Sequence, residues 1–206
     1  MAEFSFLTVT GESTGHFKDK GSKFHAFVIP VQNESEIKQN LERLRKEFFD
    51  ARHHCFAWVL GPDKQLFRAS DDGEPNHSAG DPILGQIRSR NLTNVLIVVV
   101  RYFGGIKLGV GGLISAYRTA AKAALDNAVV IEREVMHGMI LKYSYDQTPE
   151  VMKLVKTFDL PILSQDFQSH CLLRTAIAIK NKTKFIEKSE LLKATGTPIA
   201  IEWLVE

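Results

Sequence analysis

The stretch from Val95 to Leu113 joins a strongly apolar run to a dense group of glycines with basic side chains among them. Five of the chain's 14 glycines lie between Gly104 and Gly112. Glycine lets another backbone or a ligand approach closely. A helix that begins after such a stretch presents free N–H groups and the positive end of its dipole. The pattern predicts a strand, a glycine-rich loop and a helix that together receive an anion, most simply a phosphate.

The glycine spacing matches neither of the common phosphate-binding loops. Gly109 is followed by Val110 where a Walker A loop has lysine, and Gly109-Val-Gly111 lacks the third glycine of a dinucleotide-binding turn. The alternative is architectural: a tight crossover loop and a close contact between helix and sheet. We expect binding to the backbone of RNA or DNA and keep the architectural interpretation open.

Charged and aromatic side chains around the glycines would supply the other contacts. From Pro82 to Leu125 there are six basic residues and no acidic ones. Cations neutralise phosphates, and the ring of Tyr102 or Phe103 offers a stacking face for a base. The predicted phosphate- or nucleic-acid-binding residues are Lys23, His54, Arg101, Tyr102, Gly104, Gly105, Lys107, Gly109, Gly111, Gly112 and Arg118.

An acidic loop, Asp71-Asp72-Gly73-Glu74, precedes this basic region. Its three carboxylates could hold Mg²⁺, with His77 as a base. No metal motif is complete, however, and a turn explains the same residues. In that turn Asp71 and Asp72 accept backbone N–H bonds and Gly73 supplies the backbone angle. We favour the turn and predict neither a metal ligand nor a catalytic residue.

Hydrophobic periodicity places these segments on regular elements. The predicted strands are 24–30, 53–60, 64–70 and 94–100, the second and third forming a hairpin. The predicted helices are 34–49, 82–89 and 113–125. Asn33 and Glu36 suggest a capping box for the first helix, and Asp81-Pro82 suggests that Asp81 caps the second. Neighbouring His53 and His54 should face opposite sides of their strand.

The pattern changes near residues 130–136, where we expect a domain boundary. Beyond it lie predicted strands at 137–143, 160–167, 171–180 and 198–204. Helices are predicted from Thr148 and over 183–195. The order βαββαβ suggests a ferredoxin-like domain. The predicted fold class is α+β, with an N-terminal α/β domain over 1–133 and a ferredoxin-like domain over 134–206.

Composition excludes several classes of protein. The 206 residues are 44% hydrophobic and 24% charged, with a net charge of +2, as in ordinary globular proteins. The run Val95–Val100 is too short to span a bilayer, and the N-terminus shows no secretory signal. Cys55 and Cys171 are predicted to be buried thiols. We expect a cytoplasmic protein that needs no cofactor and does not contact a membrane.

The combined motifs resemble the signature of the YigZ/IMPACT family. The similar segments are Ser70-Asp-Asp-Gly-Glu-Pro75, Val99-Val-Arg-Tyr-Phe-Gly-Gly-Ile-Lys-Leu-Gly109, Gly21-Ser-Lys-Phe24 and His53-His-Cys-Phe-Ala-Trp58. The resemblance covers most of residues 15–130. It implies that the first domain is like the second domain of a small-subunit ribosomal protein. It also implies a domain pair like the last two domains of elongation factor G.

Two segments depart from the family pattern. Asn76-His77-Ser78 stands where the family usually has a glycine and a threonine before Ala-Gly. Gly21-Ser22-Lys23-Phe24 stands where Lys-Ser-Arg-Phe is common, which removes one positive charge from the expected phosphate-contacting strip.

The resemblance implies binding to nucleic acid or to the ribosome. Eukaryotic relatives regulate translation under stress through an additional N-terminal domain, so we do not expect that role to transfer as a whole. We expect a non-enzymatic RNA- or ribosome-binding protein, a translation or stress regulator, that contacts phosphates through its basic glycine-rich loop. The alternative is an enzyme acting on a phosphorylated small molecule or nucleotide, with Mg²⁺ on Asp71, Asp72 and Glu74. A third hypothesis is a protein-interaction module.

Overall fold

A computed structural model describes residues 4–167 and 169–204 of the chain. The chain divides into two compact units, one of Ser5–Arg133 and one that contains Phe4 and the described residues from Glu134 onward. Each unit combines strands with helices, which confirms the α+β class. No helix within the described ranges is long and apolar enough to cross a membrane.

The first unit is built on a five-stranded antiparallel sheet with the order β2-β3-β6-β4-β5. A separate two-stranded sheet pairs β1 with β7. The strands are β1 (Ser5–Val9), β2 (Ser13–Asp19), β3 (Ser22–Pro30), β4 (His53–Leu60), β5 (Leu66–Ser70), β6 (Val95–Tyr102) and β7 (Val130–Glu134). The helices are α1 (Glu34–Glu47), α2 (Gly80–Ser89) and α3 (Gly109–Asp126).

Helices cover both faces of this sheet, and the central strand β6 shows why its sequence is an unbroken apolar run. Alternate side chains of a strand point to opposite faces. Ile97 and Val99 lie in the core that includes α2 and α3, whereas Val98 and Val100 lie in the core that includes α1. A strand buried on both faces needs apolar residues at every position. Strand β6 follows this rule although its sheet is antiparallel.

Helix α3 lies very close to the edge strand β2 at Gly15. A Cβ atom at this glycine would lie 2.2 Å from the backbone nitrogen of Ala124 and 2.6 Å from the carbonyl carbon of Ala123. No side chain can occupy that space without moving the helix backbone. Gly15 therefore fixes the distance between α3 and the sheet.

The second unit is a four-stranded antiparallel sheet with the order β11-β8-β10-β9. Its elements are β8 (Met136–Tyr143), α4 (Thr148–Thr157), β9 (Ser164–Phe167), β10 (Cys171–Ala178), α5 (Lys182–Ala194) and β11 (Ala200–Trp203). Its core contains Leu141 and Leu173 from the sheet with Val151 and Phe185 from the helices. The βαββαβ order and this strand arrangement are those of a ferredoxin-like fold, as predicted.

Two predicted helix starts were wrong. Helix α2 begins at Gly80, so Asp81 lies inside its first turn and is not its N-cap. Helix α3 begins at Gly109 and not near Leu113, so Gly111 and Gly112 are helical. Glycine has low intrinsic helix propensity, and the packing of a long helix overrides that preference here. Three strands, β1, β2 and β7, were not predicted from the sequence; β2 is an edge strand with many polar residues.

We predict that Gly15→Ala lowers the free energy of unfolding by about 1–3 kcal/mol, because the added methyl group overpacks the contact with α3. Urea denaturation of the purified chain measures this change. Gly11→Ala is the matched control: no atom lies within 4 Å of a Cβ placed there, so its effect should stay within about 0.5 kcal/mol. Equal effects of the two substitutions would contradict the assigned role of Gly15.

Candidate functional site

The acidic loop is held together by the carboxylate of Asp71. One of its oxygens accepts the N–H groups of Ala79 and Gly80, both at 2.9 Å, and the other accepts the N–H of His77 at 2.8 Å. Burial alone would raise the pKa of Asp71, but these three hydrogen bonds outweigh it and hold the pKa below its usual value. Asp71 lies nine residues before Gly80, the first residue of α2, and its carboxylate caps the start of that helix. The carboxylate of Asp81, which was predicted to be the cap, has its Oδ2 atom 2.7 Å from Nδ1 of His77.

Asp72 and Gly73 complete the turn. The Asp72 carboxylate accepts the N–H of His54 at 2.7 Å and lies 3.3 Å from the guanidinium of Arg45. Gly73 has a φ of +87°. These contacts agree with the turn interpretation of the acidic loop. Within 4–167 and 169–204, no three His, Cys, Asp or Glu side chains are grouped so as to hold a metal ion.

Glu74 forms a buried ion pair with Arg101 at the end of β6. Nη1 of Arg101 donates to Oε1 of Glu74 at 2.6 Å, and the two side chains are only 6% and 4% exposed. The hydroxyl of Tyr117 in α3 donates to the same oxygen at 2.8 Å. This geometry disfavours Arg101 as a direct phosphate ligand, because Glu74 already neutralises its charge inside the protein.

Gly104 is a packing glycine. A Cβ atom there would lie 1.9 Å from the carbonyl carbon of Gly21. Its N–H donates to the hydroxyl of Ser22 at 3.2 Å, and Nη2 of Arg101 reaches the same hydroxyl at 3.4 Å. The tip of the β2–β3 hairpin is therefore pressed against the chain just after β6. The architectural interpretation explains this glycine without a ligand.

Three other predicted binding residues lie on the α1 face of the sheet, opposite to Arg101. His54 is 5% exposed, and burial lowers its pKa, which disfavours it as a phosphate ligand. The hydroxyl of Tyr102 donates to Asp50 at 2.8 Å. Lys23 is exposed and lies directly opposite Tyr102 in the β3–β6 ladder.

Arg118 lies in a different place again. It lines a groove of about 420 Å³ between α2 and α3. The other residues of this groove are His77, Asp81, Pro82, Gly85, Gln86 and Ile114. The predicted binding residues are thus divided among the two faces of the sheet and this groove.

The remaining part of the motif, from Phe103 to Val110, is mostly exposed. Phe103, Ile106 and Val110 are each more than half exposed. Lys107 is exposed and forms no ion pair with any described residue. The segment borders a cavity of about 350 Å³, here called the loop cavity. It is lined by Glu74, Pro75, Arg101, Phe103, Lys107, Leu108, Gly109, Val110 and Leu113. Pro75 and Val110 line this cavity but were not among the predicted binding residues; the position of Val110 among exposed glycines could have indicated it.

Helix α3 begins at this cavity without a side-chain cap. Leu108 precedes the helix, its first turn contains no acidic residue, and Gly109 and Val110 line the cavity. The Nε of Arg101, which also lines the cavity, is buried and has no hydrogen-bond partner among the described residues. Uncapped N–H groups at the positive end of a helix favour an anion.

The charges of the loop cavity agree with that preference. Glu74 and Arg101 neutralise each other, which leaves the positive charge of Lys107. Gly111, in the first turn of α3, has no atom within 4 Å of an added Cβ. Packing therefore does not require glycine there, although alanine would favour the helix by up to about 1 kcal/mol.

Comparison with known proteins agrees with the motif. The sequence model of the protein family described as the Impact N-terminal domain matches residues 20–125 of this chain. The chain is 36% identical over 171 residues to the IMPACT family member YigZ of Escherichia coli (strain K12), covering 82% of this chain and 84% of that protein. The chain belongs to the IMPACT family. Another IMPACT family member, from Haemophilus influenzae, is 33% identical over 190 residues, 90% of each chain. A solved crystal structure described as a hypothetical protein matches this IMPACT chain with a TM-score of 0.76 and 33% identity over 98% of both chains.

We predict that Glu74→Gln lowers the free energy of unfolding by about 3 kcal/mol, because it leaves the guanidinium of Arg101 buried without a counter-charge. Urea denaturation measures the loss. The matched control is Glu12→Gln, which breaks the exposed ion pair of Glu12 with Arg43 at 2.7 Å and should cost less than about 1 kcal/mol. A Glu74 variant as stable as the Glu12 variant would contradict the structural role of the buried pair.

Proposed function

We propose that this IMPACT chain is a non-enzymatic protein that binds single-stranded RNA at the loop cavity, as part of a role in regulating translation. One observation carries the proposal: Phe103, Lys107 and the uncapped start of α3 meet at one cavity. An aromatic platform beside cationic groups is the usual arrangement for single strands, whose bases are free to stack.

Phe103 is held so that it can stack on a base. The guanidinium carbon of Arg101 lies 5.6 Å from the centre of the Phe103 ring, close enough for a cation–π contact. The ring is nevertheless 56% exposed. Arg101 thus acts from inside the protein as a support for the ring, and the exposed part of the ring is left for a base.

The phosphate would lie between Lys107 and the first turn of α3. The ammonium of Lys107 supplies a full charge, and the N–H groups of Gly109 and Val110 supply hydrogen bonds at the positive end of the helix. None of these groups distinguishes one base from another. The proposed site therefore binds many sequences with similar affinity.

The enzyme alternative is disfavoured by the hydrogen bonds of the acidic loop. Asp71 is occupied by three N–H groups, Asp72 by His54 and Arg45, and Glu74 by Arg101 and Tyr117. A magnesium site would have to break contacts that hold the loop in place. A shift in the melting temperature with a nucleotide and Mg²⁺, but not with RNA, would favour the enzyme alternative.

We predict that Lys107→Ala weakens binding to a fluorescein-labelled oligouridylate of twelve nucleotides. It should also reduce the slope of log K against log salt by about 0.7, the contribution of one neutralised phosphate on a single strand. Fluorescence anisotropy over a salt series measures both. Lys46→Ala is the control, because Lys46 is an exposed lysine of α1 on the other face of the sheet. Equal effects of the two lysine variants would contradict the proposal, as would binding that does not depend on salt.

We predict that Phe103→Ala weakens binding to the same RNA by about fivefold to a hundredfold, the range expected for the loss of one base–aromatic stack. The salt slope should stay unchanged, because the ring carries no charge. Phe49→Ala, which removes an 83% exposed ring just after α1, should leave binding unchanged. A loss with Phe49→Ala and none with Phe103→Ala would move the site to the other face of the sheet.

A further inference from the structure

A second cavity lies beside Phe103. It has a volume of about 290 Å³ and is here called the Arg52 cavity. Its lining residues are Asp50, Arg52, His53, Arg101, Tyr102 and Phe103. Arg101 and Phe103 line both cavities, so the two cavities are neighbours that share the Phe103 ring.

Arg52 gives this cavity a positive charge. Its side chain is exposed and forms no ion pair in the part of the chain that the structure describes. The carboxylate of Asp50 lies in the same cavity, where the hydroxyl of Tyr102 donates to it at 2.8 Å. A phosphate would therefore bind at Arg52, on the side away from Asp50. Arginine suits phosphate because its guanidinium can donate two parallel hydrogen bonds.

His53 adds a hydrogen-bond acceptor to this cavity, and its contact with Asp72 shows which ring nitrogen accepts. Its Nδ1 lies 3.0 Å from the backbone carbonyl oxygen of Asp72. A carbonyl only accepts, so Nδ1 carries the ring proton, and in the neutral ring Nε2 is an acceptor. A phosphate offers no hydrogen to such an acceptor, whereas a hydroxyl group does.

We propose that the Arg52 cavity binds the nucleotide next to the one at the loop cavity and makes the site selective for RNA over DNA. This inference rests on the proposed function. Arg52 binds the second phosphate, and Nε2 of His53 accepts a hydrogen bond from a ribose 2′-hydroxyl. The strand crosses the Phe103 ring between its two phosphates. A duplex is excluded because its bases are stacked on each other and cannot reach the ring.

The test compares oligouridylate and oligodeoxyuridylate of eight nucleotides, which differ only at the 2′ position, by fluorescence anisotropy with the full chain. The ribose form should bind about fivefold more tightly, the effect of one neutral hydrogen bond. Arg52→Ala should weaken both by about tenfold and reduce the salt slope by about 0.7. The control Arg133→Ala, at an exposed arginine of β7, should change neither.

A substitution of His53 separates the sugar contact from the phosphate contact. His53→Asn retains an N–H donor near the position of Nδ1 for the Asp72 carbonyl but lacks Nε2. It should bind the ribose and deoxyribose strands equally while keeping the salt slope. If this variant does not fold, the wild-type preference and the Arg52 result still decide the matter.

The outcomes separate this inference from the proposed function. If the chain binds neither oligonucleotide, the proposed function itself is wrong. A second result would be that binding of the ribose strand depends on Lys107 and Phe103, but the deoxyribose strand binds with the same affinity or Arg52→Ala has no effect. In that case only the role of the Arg52 cavity is overturned.

Discussion

A glutamate and an arginine that meet out of contact with water set the shape of this site. Oε1 of Glu74 accepts from Arg101 at the end of β6 and from Tyr117 in α3. One oxygen atom therefore joins the acidic loop, the central strand and the long helix. Because either charge would be costly to bury alone, the three elements must come together. Their meeting point is the floor of the loop cavity and supports the ring of Phe103.

The motif divides into residues that build this floor and residues that remain exposed above it. Asp71, Asp72 and Gly73 shape the acidic loop, and Gly104 admits the hairpin tip at Gly21. These residues are explained by the fold alone. The exposed ring, lysine and bare helix start beyond β6 have no such structural task, and they are the groups that we assign to RNA.

The number of basic residues in the sequence overestimates the positive charge that this region exposes at the surface. Of the six between Pro82 and Leu125, Arg90 and Lys122 contact Asp126, and Arg101 contacts Glu74. Arg88 lies over the ring of Phe67 at 4.3 Å. Lys107 and Arg118 are the two without an ion pair or ring contact to described residues. The sequence shows the charges, but their partners are distant in the chain and appear only when it folds.

The sequence predicted the elements better than it predicted their ends or the site. The strand-forming residues of β4, and the spacing of apolar residues in the second unit, identified these elements and the βαββαβ order. The start of α2 was missed because its cap, Asp71, lies outside the local capping motif. The start of α3 was missed because its first turn is rich in glycine. Lys107 was expected at an anion site, and it does border the loop cavity; Arg101 and His54 were expected to be accessible, and folding buries both.

Titration of the ¹⁵N-labelled chain with unlabelled oligouridylate, followed by amide NMR spectra, locates the bound RNA on the chain. If RNA binds at the loop cavity, the largest shift changes fall on the amides of Phe103–Val110, where the exposed ring, Lys107 and the start of α3 lie together. These shift changes shrink as salt is added. Shift changes centred on α1, or none at these amides at saturating RNA, would contradict binding at the loop cavity.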